Sequence, residues 1–230
     1  AAVVEKWAAH DNRFVLCRRP RRGIAAALNA GVGMARREYI ARMDADDVSL
    51  PQRLARQVAK LDNDTSLDMV SCRVAYTGDA GAHGGFAAYV NWTNGILTPD
   101  DHALNRFIDA PVIHPTVMAR REVFDRHGGY GEEREWPEDF DLWLRWWGAG
   151  VRCEKLEETL FEWHERQDRL SRVDDRYSVD AFFACKAWHL ANGPLRTAGR
   201  VAVWGAGRLT RRRAEMLGVN GVKIACYINV

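Results

Sequence analysis

The chain has 230 residues, 47% hydrophobic and 28% charged, with a formal net charge of +2; these are ordinary globular values and exclude general disorder. The length allows one large domain, or one domain and part of a second. The near-neutral balance excludes a strongly basic nucleic-acid binder and an acidic tail, so no nucleic-acid partner is expected.

Cys17, Cys72, Cys153, Cys185 and Cys226 are scattered and form no C-x-x-C pair. That argues against a zinc site or a disulfide framework and fits a reducing cytosol. The longest mainly apolar stretch, residues 24–35, is too short to span a bilayer, so no transmembrane segment is expected. Residues 1–14, AAVVEKWAAHDNRF, lack an initiator Met and read as the end of a helix, not as a signal peptide. The chain is therefore expected to be a fragment.

Residues 14–17 (FVLC) read as a short strand. Apolar spacing at Ile24, Ala27, Leu28 and Ala35 predicts a helix over 24–37, opened by Gly23. Residues 39–43 read as a buried strand ending at Asp44. Ser49 and Gln52 have capping-box spacing, with Pro51 in the first turn and a stripe of Leu50, Leu54, Val58 and Leu61. LDMVSCRVAYTG is the next strand, and the Gly- and Ala-rich residues 78–95 read as an irregular excursion.

Thr98 caps a helix beginning at Pro99. HPTVMA reads as a strand, RREVFDRHGG as a short helix and PEDFDLWLRWWGAG as a longer one. VRCEKLE is a further strand, and helical pattern returns over 177–191. Strands alternating with helices predict an α/β domain with a mostly parallel sheet.

Three constellations can carry chemistry. Asp44-Ala45-Asp46-Asp47 follows a strand, at the sheet edge where open α/β folds bind ligands. Residues two apart on an extended backbone face the same way, so Asp44 and Asp46 can converge on Mg²⁺ or Mn²⁺. The alternative is that Asp47 and Ser49 only cap the next helix.

Glu138-Asp139 opens a helix, where the dipole stabilises carboxylates. Asp139 also shares a face with Leu142 and Trp143, a setting suited to a general base. Gly205-Ala206-Gly207 follows a strand and resembles a dinucleotide-binding turn, but Thr210 replaces the third glycine and the later acidic residue is missing. NAD is accordingly not expected. His114 and His164 are candidate ligands or hydrogen-bonded structural residues. Trp143, Trp146 and Trp147 have helical spacing and read mainly as core, with one of them a candidate sugar-stacking wall.

In order and spacing, these pieces resemble a family 2 glycosyltransferase of the GT-A fold. The runs that carry the likeness are GIAAALNAGVGMARREYIARMDADDVSLPQRLARQV, HPTVMARREVFDRHGGYGEEREWPEDFDLWLRW and EWHERQDRLSR, covering about residues 10–172. The resemblance implies an inverting transfer of a sugar from a nucleotide-diphosphate donor, a UDP-sugar foremost, to a glycan or lipid-linked acceptor. It implies that Asp44 contacts the ribose, that Asp46 and Asp44 hold Mn²⁺ or Mg²⁺ with His164 as a further ligand, and that Asp139 is the base. Gly129 and Tyr130 would lie near the donor sugar, and Gly23 and Asn29 near the nucleotide.

The family's opening strand and base-binding loop have no counterpart here and are expected upstream. The expected division is a glycosyltransferase domain over 1–192 and the start of a Rossmann-like βαβ unit over 193–230. The expected location is the cytoplasm, with peripheral association at the inner membrane face. A non-catalytic nucleotide-binding scaffold of the same fold, and a dinucleotide-binding protein centred on Gly205 and Gly207, stand as alternatives.

Overall fold

The computed structural model describes residues 2–78, 84–164 and 169–229. The chain runs α1 (Ala2–Ala8), α2 (Ile24–Met34), β1 (Tyr39–Ala41), β2 (Val48–Ser49), α3 (Arg53–Asn63), β3 (Met69–Tyr76), α4 (Gly84–Asn94) and α5 (Pro99–Asn105). A 3-10 turn (His114–Thr116) leads into β4 (Met118–Arg120), α6 (Arg121–His127), α7 (Glu138–Gly148) and β5 (Cys153–Trp163). Then come α8 (Leu170–Val173), a second 3-10 turn (Asp175–Tyr177), α9 (Val179–Asn192), β6 (Val201–Trp204), α10 (Arg208–Val219) and β7 (Ile224–Ile228).

The main sheet has the order β1-β4-β3-β5-β2. The α/β class holds, but the expectation of mostly parallel pairing does not. Only β3 and β5 pair in parallel there, while β1–β4, β3–β4 and β2–β5 are antiparallel. Alternating helices imply a parallel sheet only when each helix returns the chain between neighbouring strands. Here β1 neighbours β4, which is far away in sequence.

Register explains how the sheet is covered on both faces. Met69 lies opposite Ala119 and Cys153, and these three pack in one buried cluster with Phe140, Leu142, Trp143 and Trp146 of α7. The next residue, Val70, lies opposite Met118 and packs instead with Leu61 of α3 and with Leu67. Alternation along a strand sends successive side chains to opposite faces, so β3 reads as continuously apolar. Eight of the eleven α7 residues are buried, which makes α7 an interior wall and carries Glu138 inward with it.

Several local expectations are corrected. Residues 14–17 form no strand: Phe14 and Val15 are exposed, and Phe14 stacks on Trp7 at 5.8 Å. β-propensity makes a strand only where a partner is available to pair with. Ser49 and Asp47 do not cap α3, because Ser49 is in β2 opposite Phe161 and Gln52 precedes the helix without a side-chain bond.

The buried face of α3 is Arg53, Gln57 and Leu61, while Leu54 is 48% exposed. Those polar residues are buried because they bind the ends of the strands beside the site. Arg53 donates to the Pro115 carbonyl at 2.5 Å and to the Arg42 carbonyl at 3.1 Å, and Gln57 donates to the Thr116 carbonyl at 2.7 Å.

Residues 84–94, expected to be irregular, form α4. Phe86, Tyr89, Val90 and Thr93 follow helical i, i+3, i+4, i+7 spacing, and Val90, Phe86 and Tyr89 pack with Trp163. Asn94, at the end of α4, satisfies both backbone groups of Val74 at 3.0 and 2.9 Å. The Thr98 cap is present as a reciprocal pair with Asp101, at 3.1 Å in each direction. The β6–α10–β7 unit is a parallel βαβ piece with Gly205-Ala206-Gly207 at its first turn, and Asp180 of α9 forms an ion pair with Arg212 of α10.

Candidate active site

A cavity of about 340 Å³ opens where the loop after β1, the turn before β4 and the start of α7 converge. Arg42, Asp44 and Asp46 line it from the first, His114 and Pro115 from the second, and Glu138 and Asp139 from the third. Trp163 closes one end, and Arg169, Ser171 and Tyr177 enter from the segment after β5. The sequence-predicted Asp44, Asp46 and Asp139 are therefore brought together on one cavity although they span about 95 residues of chain.

Asp139 accepts a hydrogen bond from the Phe140 backbone N–H at 2.7 Å. Asp139 is partly buried, and it lines the cavity. Burial, followed by repulsion from Glu138, pushes its pKa up to about 7. Glu138 is buried and accepts a hydrogen bond from the Tyr177 hydroxyl at 2.5 Å. A carboxyl group titrating near neutrality inside a cleft is poised to take up a proton from a bound hydroxyl.

The acidic loop is held from both sides. Asp44 pairs with Arg42. Asp47 accepts the His164 backbone N–H at 2.9 Å, and its other oxygen lies 4.0 Å from Arg169 and is buried without a hydrogen bond. Burial raises the Asp47 pKa, with the His164 amide and Arg169 offsetting part of the rise. Arg169 also stacks over the Trp163 ring at 4.2 Å.

Asp44, Asp46 and Asp47 each bring a carboxylate oxygen within 4.8 Å of the others. Hard oxygen donors and an unsatisfied buried carboxylate oxygen suit a divalent cation of the Mg²⁺ or Mn²⁺ type. His164 lies outside this oxygen cluster and touches it through its backbone.

The other predicted site residues lie around the cavity and do not line it. Gly23 sits just before Ile24, which does line it, and has φ 89°, a left-handed conformation that favours glycine. Asn29 faces the loop after α6. It donates to the Tyr130 carbonyl at 2.9 Å and accepts from the Tyr130 N–H at 2.8 Å. Gly129 lies so close beneath it that a Cβ there would overlap the Asn29 side-chain oxygen. The Tyr130 hydroxyl meets His114 Nε2 at 2.7 Å, one residue removed from the cavity.

Trp143, Trp146 and Trp147 are all buried in the core, and the tryptophan that lines the cavity is Trp163. Arg42, Tyr177, Arg169 and Trp163 escaped the sequence reading as site residues. Arg42 had a readable signal, because it lies two residues before Asp44 on an extended segment and shares its side. Tyr177 had none, since only the packing of the post-β5 segment brings it to Glu138.

The fold is α/β, and its acidic loop and helix-start carboxylate share one cleft. Comparison with known proteins names the family: the glycosyl transferase family 2 profile matches residues 1–128, and the chain belongs to that family. It is 30% identical over 182 residues to the putative glycosyltransferase EpsE of Bacillus subtilis (strain 168), covering 77% of this chain and 62% of EpsE. It is 29% identical over 185 residues to the O-antigen biosynthesis glycosyltransferase WbnJ of Escherichia coli, covering 78% and 66%. The chain thus spans under two thirds of these relatives' own lengths.

Among solved structures, S. aureus TarS 1-349 in complex with UDP-GlcNAc matches with a TM-score of 0.61 at 14% identity, covering 95% of this chain and 58% of that one. The mannosyltransferase PcManGT from Pyrobaculum calidifontis, in complex with GDP-Man and Mn²⁺, matches at 0.52 and 19% identity, covering 96% and 59%. These likenesses establish the GT-A-type fold. Among the described residues no helix is long and apolar enough to cross a membrane.

Proposed function

We propose that this glycosyltransferase moves a sugar from a nucleotide-diphosphate donor to an acceptor hydroxyl with inversion, in the synthesis of a polysaccharide or glycoconjugate. The observation that carries the reading is the shared cavity of Asp139 and the Asp44–Asp46 loop. Asp139 removes the acceptor proton while the acceptor oxygen attacks the anomeric carbon from the face opposite the diphosphate. One carboxylate base and one displacement give inversion.

Asp46, Asp44 and Asp47 would hold a divalent cation, which offsets charge developing on the leaving diphosphate. Asp44, fixed by Arg42, also presents an acceptor for the nucleotide ribose. Gly23, Asn29, Gly129 and Tyr130 support the walls around the nucleotide sugar, and His164 fixes Asp47 through its backbone. UDP-GlcNAc and GDP-Man in the neighbouring structures support a nucleotide-sugar donor, with a UDP-sugar as the first choice. The O-antigen relative supports a glycan or lipid-linked acceptor.

We read residues 1–192 as the transferase unit and 193–230 as a Rossmann-like appendage. The cysteines, all free, support a reducing cytoplasmic site of action, at the inner membrane face where a lipid-linked acceptor would be met. The test is transfer or donor hydrolysis by the wild type, Asp46→Ala and Asp139→Asn. Activity in the wild type lost in both variants is expected; full activity in Asp139→Asn overturns the assigned base.

A further inference from the structure

One side chain on the cavity wall is unusually well fixed. His114 is 6% exposed, and its ring is boxed by Trp143 at 5.6 Å edge-on and by Tyr130 at 5.4 Å. Its Nε2 meets the Tyr130 hydroxyl at 2.7 Å.

Tyr130 is itself fixed by three helices. Asn29 of α2 binds its backbone N–H and carbonyl. From α7, Arg145 donates to the Gly129 carbonyl at 2.6 Å, and the Trp146 indole donates to the Gly128 carbonyl at 3.2 Å. Arg145 is anchored by Asp141 at 2.9 Å, and His189 of α9 holds Asp141 at 2.9 Å. Burial alone would raise the Asp141 pKa, but His189 and Arg145 together bring it below the ordinary value, keeping the anchor ionised.

The direction of the Tyr130–His114 bond follows from counting partners. If Nε2–H donated, the Tyr130 O–H would need another acceptor, and it has no second partner among the described residues. If the hydroxyl donates to Nε2, the Tyr130 O–H is satisfied and the ring proton sits on Nδ1, which has no acceptor among the described residues. Burial, with the Arg42 guanidinium nearby, drives the His114 pKa well below its ordinary value, so the doubly protonated ring is excluded at neutral pH.

We propose that His114 is a neutral hydrogen-bond donor to an oxygen of the bound nucleotide sugar, offering Nδ1–H because the Tyr130 hydroxyl occupies Nε2. The substrate contact rests on the function proposed above; the tautomer does not. The loop after α6 then acts on the site indirectly, with Tyr130 as a positioning residue for His114. A histidine presenting one fixed N–H can discriminate among sugars by the oxygen it meets.

The test has two independent arms on the full-length protein. Long-range ¹H–¹⁵N spectra of histidine-labelled protein at pH 7 are expected to give His114 the Nδ1–H pattern, with Tyr130→Phe moving it toward Nε2–H. An Nε2–H or doubly protonated His114 in the wild type overturns the proposal. In the second arm, titration with UDP-GlcNAc and GDP-mannose and transfer kinetics compare two variants. His114→Asn keeps an N–H near the Nδ1 position; His114→Phe removes it.

His114→Phe is expected to weaken nucleotide-sugar binding about tenfold or more, and His114→Asn to recover most of that loss. Equal affinity in wild type and His114→Phe overturns the substrate contact alone. Absence of nucleotide-sugar binding and transfer in the wild type, with the Nδ1–H tautomer present, overturns the proposed function and with it the contact, while the Tyr130–His114 pair stands.

Discussion

Asp139 has a chemical position that a lone carboxylate at a helix start would not have. The helix N-terminus and the Phe140 N–H favour its anion, yet burial and Glu138 win and hold the pKa at about 7. A base must be deprotonated, so the transfer rate is expected to rise with pH and level off above about 7. Glu138→Gln removes the repulsion and should move that rise to lower pH, as a pH–rate profile would record. An unmoved profile would mean that burial alone sets the value.

Stability runs with the opposite sign. Because the folded pKa of Asp139 lies above the unfolded one, its stabilising contribution is full below the unfolded value and is lost as pH climbs through about 7. Asp139→Asn should therefore raise the melting temperature at pH 8 relative to wild type and leave it nearly unchanged at pH 4. The ceiling is about 1.4 kcal/mol for each pH unit between the ordinary and folded pKa. At Asp46, the expected result of Asp46→Ala is loss of Mn²⁺-dependent nucleotide-sugar binding with an unaltered far-UV spectrum. Titration with Mn²⁺ and after chelation measures it; unchanged metal dependence would remove Asp46 from the cation.

Two elements set the geometry of the site, α7 and the loop from Gly128 to Gly131. α7 carries Asp139 at its start and buries Trp143 about one turn and Trp146 about two turns along, so the base is aimed by the packing of the helix. Trp143→Ala should cost about 3–5 kcal/mol, the usual range for emptying a buried aromatic site, measured by urea unfolding. The loop depends on close approach. Asn29 is tied by three hydrogen bonds, to the backbone N–H and carbonyl of Tyr130 and to Glu132, and cannot yield freely to a methyl group on Gly129. Gly129→Ala is expected to destabilise by about 1–3 kcal/mol and to lower transfer, whereas Gly148→Ala, with open space around it, should do neither through steric contact.

At the scale of the molecule, the main sheet is covered on both faces, while β6 and β7 form a two-stranded sheet of their own. Two strands and one helix cannot enclose a core, and α10 leans on α9, where Arg213 stacks over Phe183 at 3.9 Å. Removing residues 199–230 is therefore expected to leave a cooperative thermal transition, lowered by a few degrees, with transfer retained. Loss of transfer in a chain that still melts cooperatively would place the βαβ piece within the catalytic unit.

Much of this protein was legible in the order of its residues. The α7 stripe, the Thr98 cap, the strand after α3 and the family-like runs around Asp44 and Asp139 all rest on local periodicity or local spacing, which a linear sequence records directly. The helix at 84–94 was also written in local spacing, at Phe86, Tyr89, Val90 and Thr93, beneath a Gly- and Ala-rich composition. The antiparallel pairing of β1 and β4 and the polar face of α3 were not legible. Each depends on which distant segment lies opposite: Arg53 and Gln57 are buried because carbonyls of Pro115 and Thr116 wait for them. The same holds within the site. Sequence could nominate Asp44, Asp46 and Asp139 by type and position, but only the tertiary structure set Glu138 against Tyr177, Arg42 against Asp44, and His114 against a tyrosine pinned by three helices. Hydrogen-bond direction and desolvation are properties of surroundings, and surroundings exist only once the chain has folded.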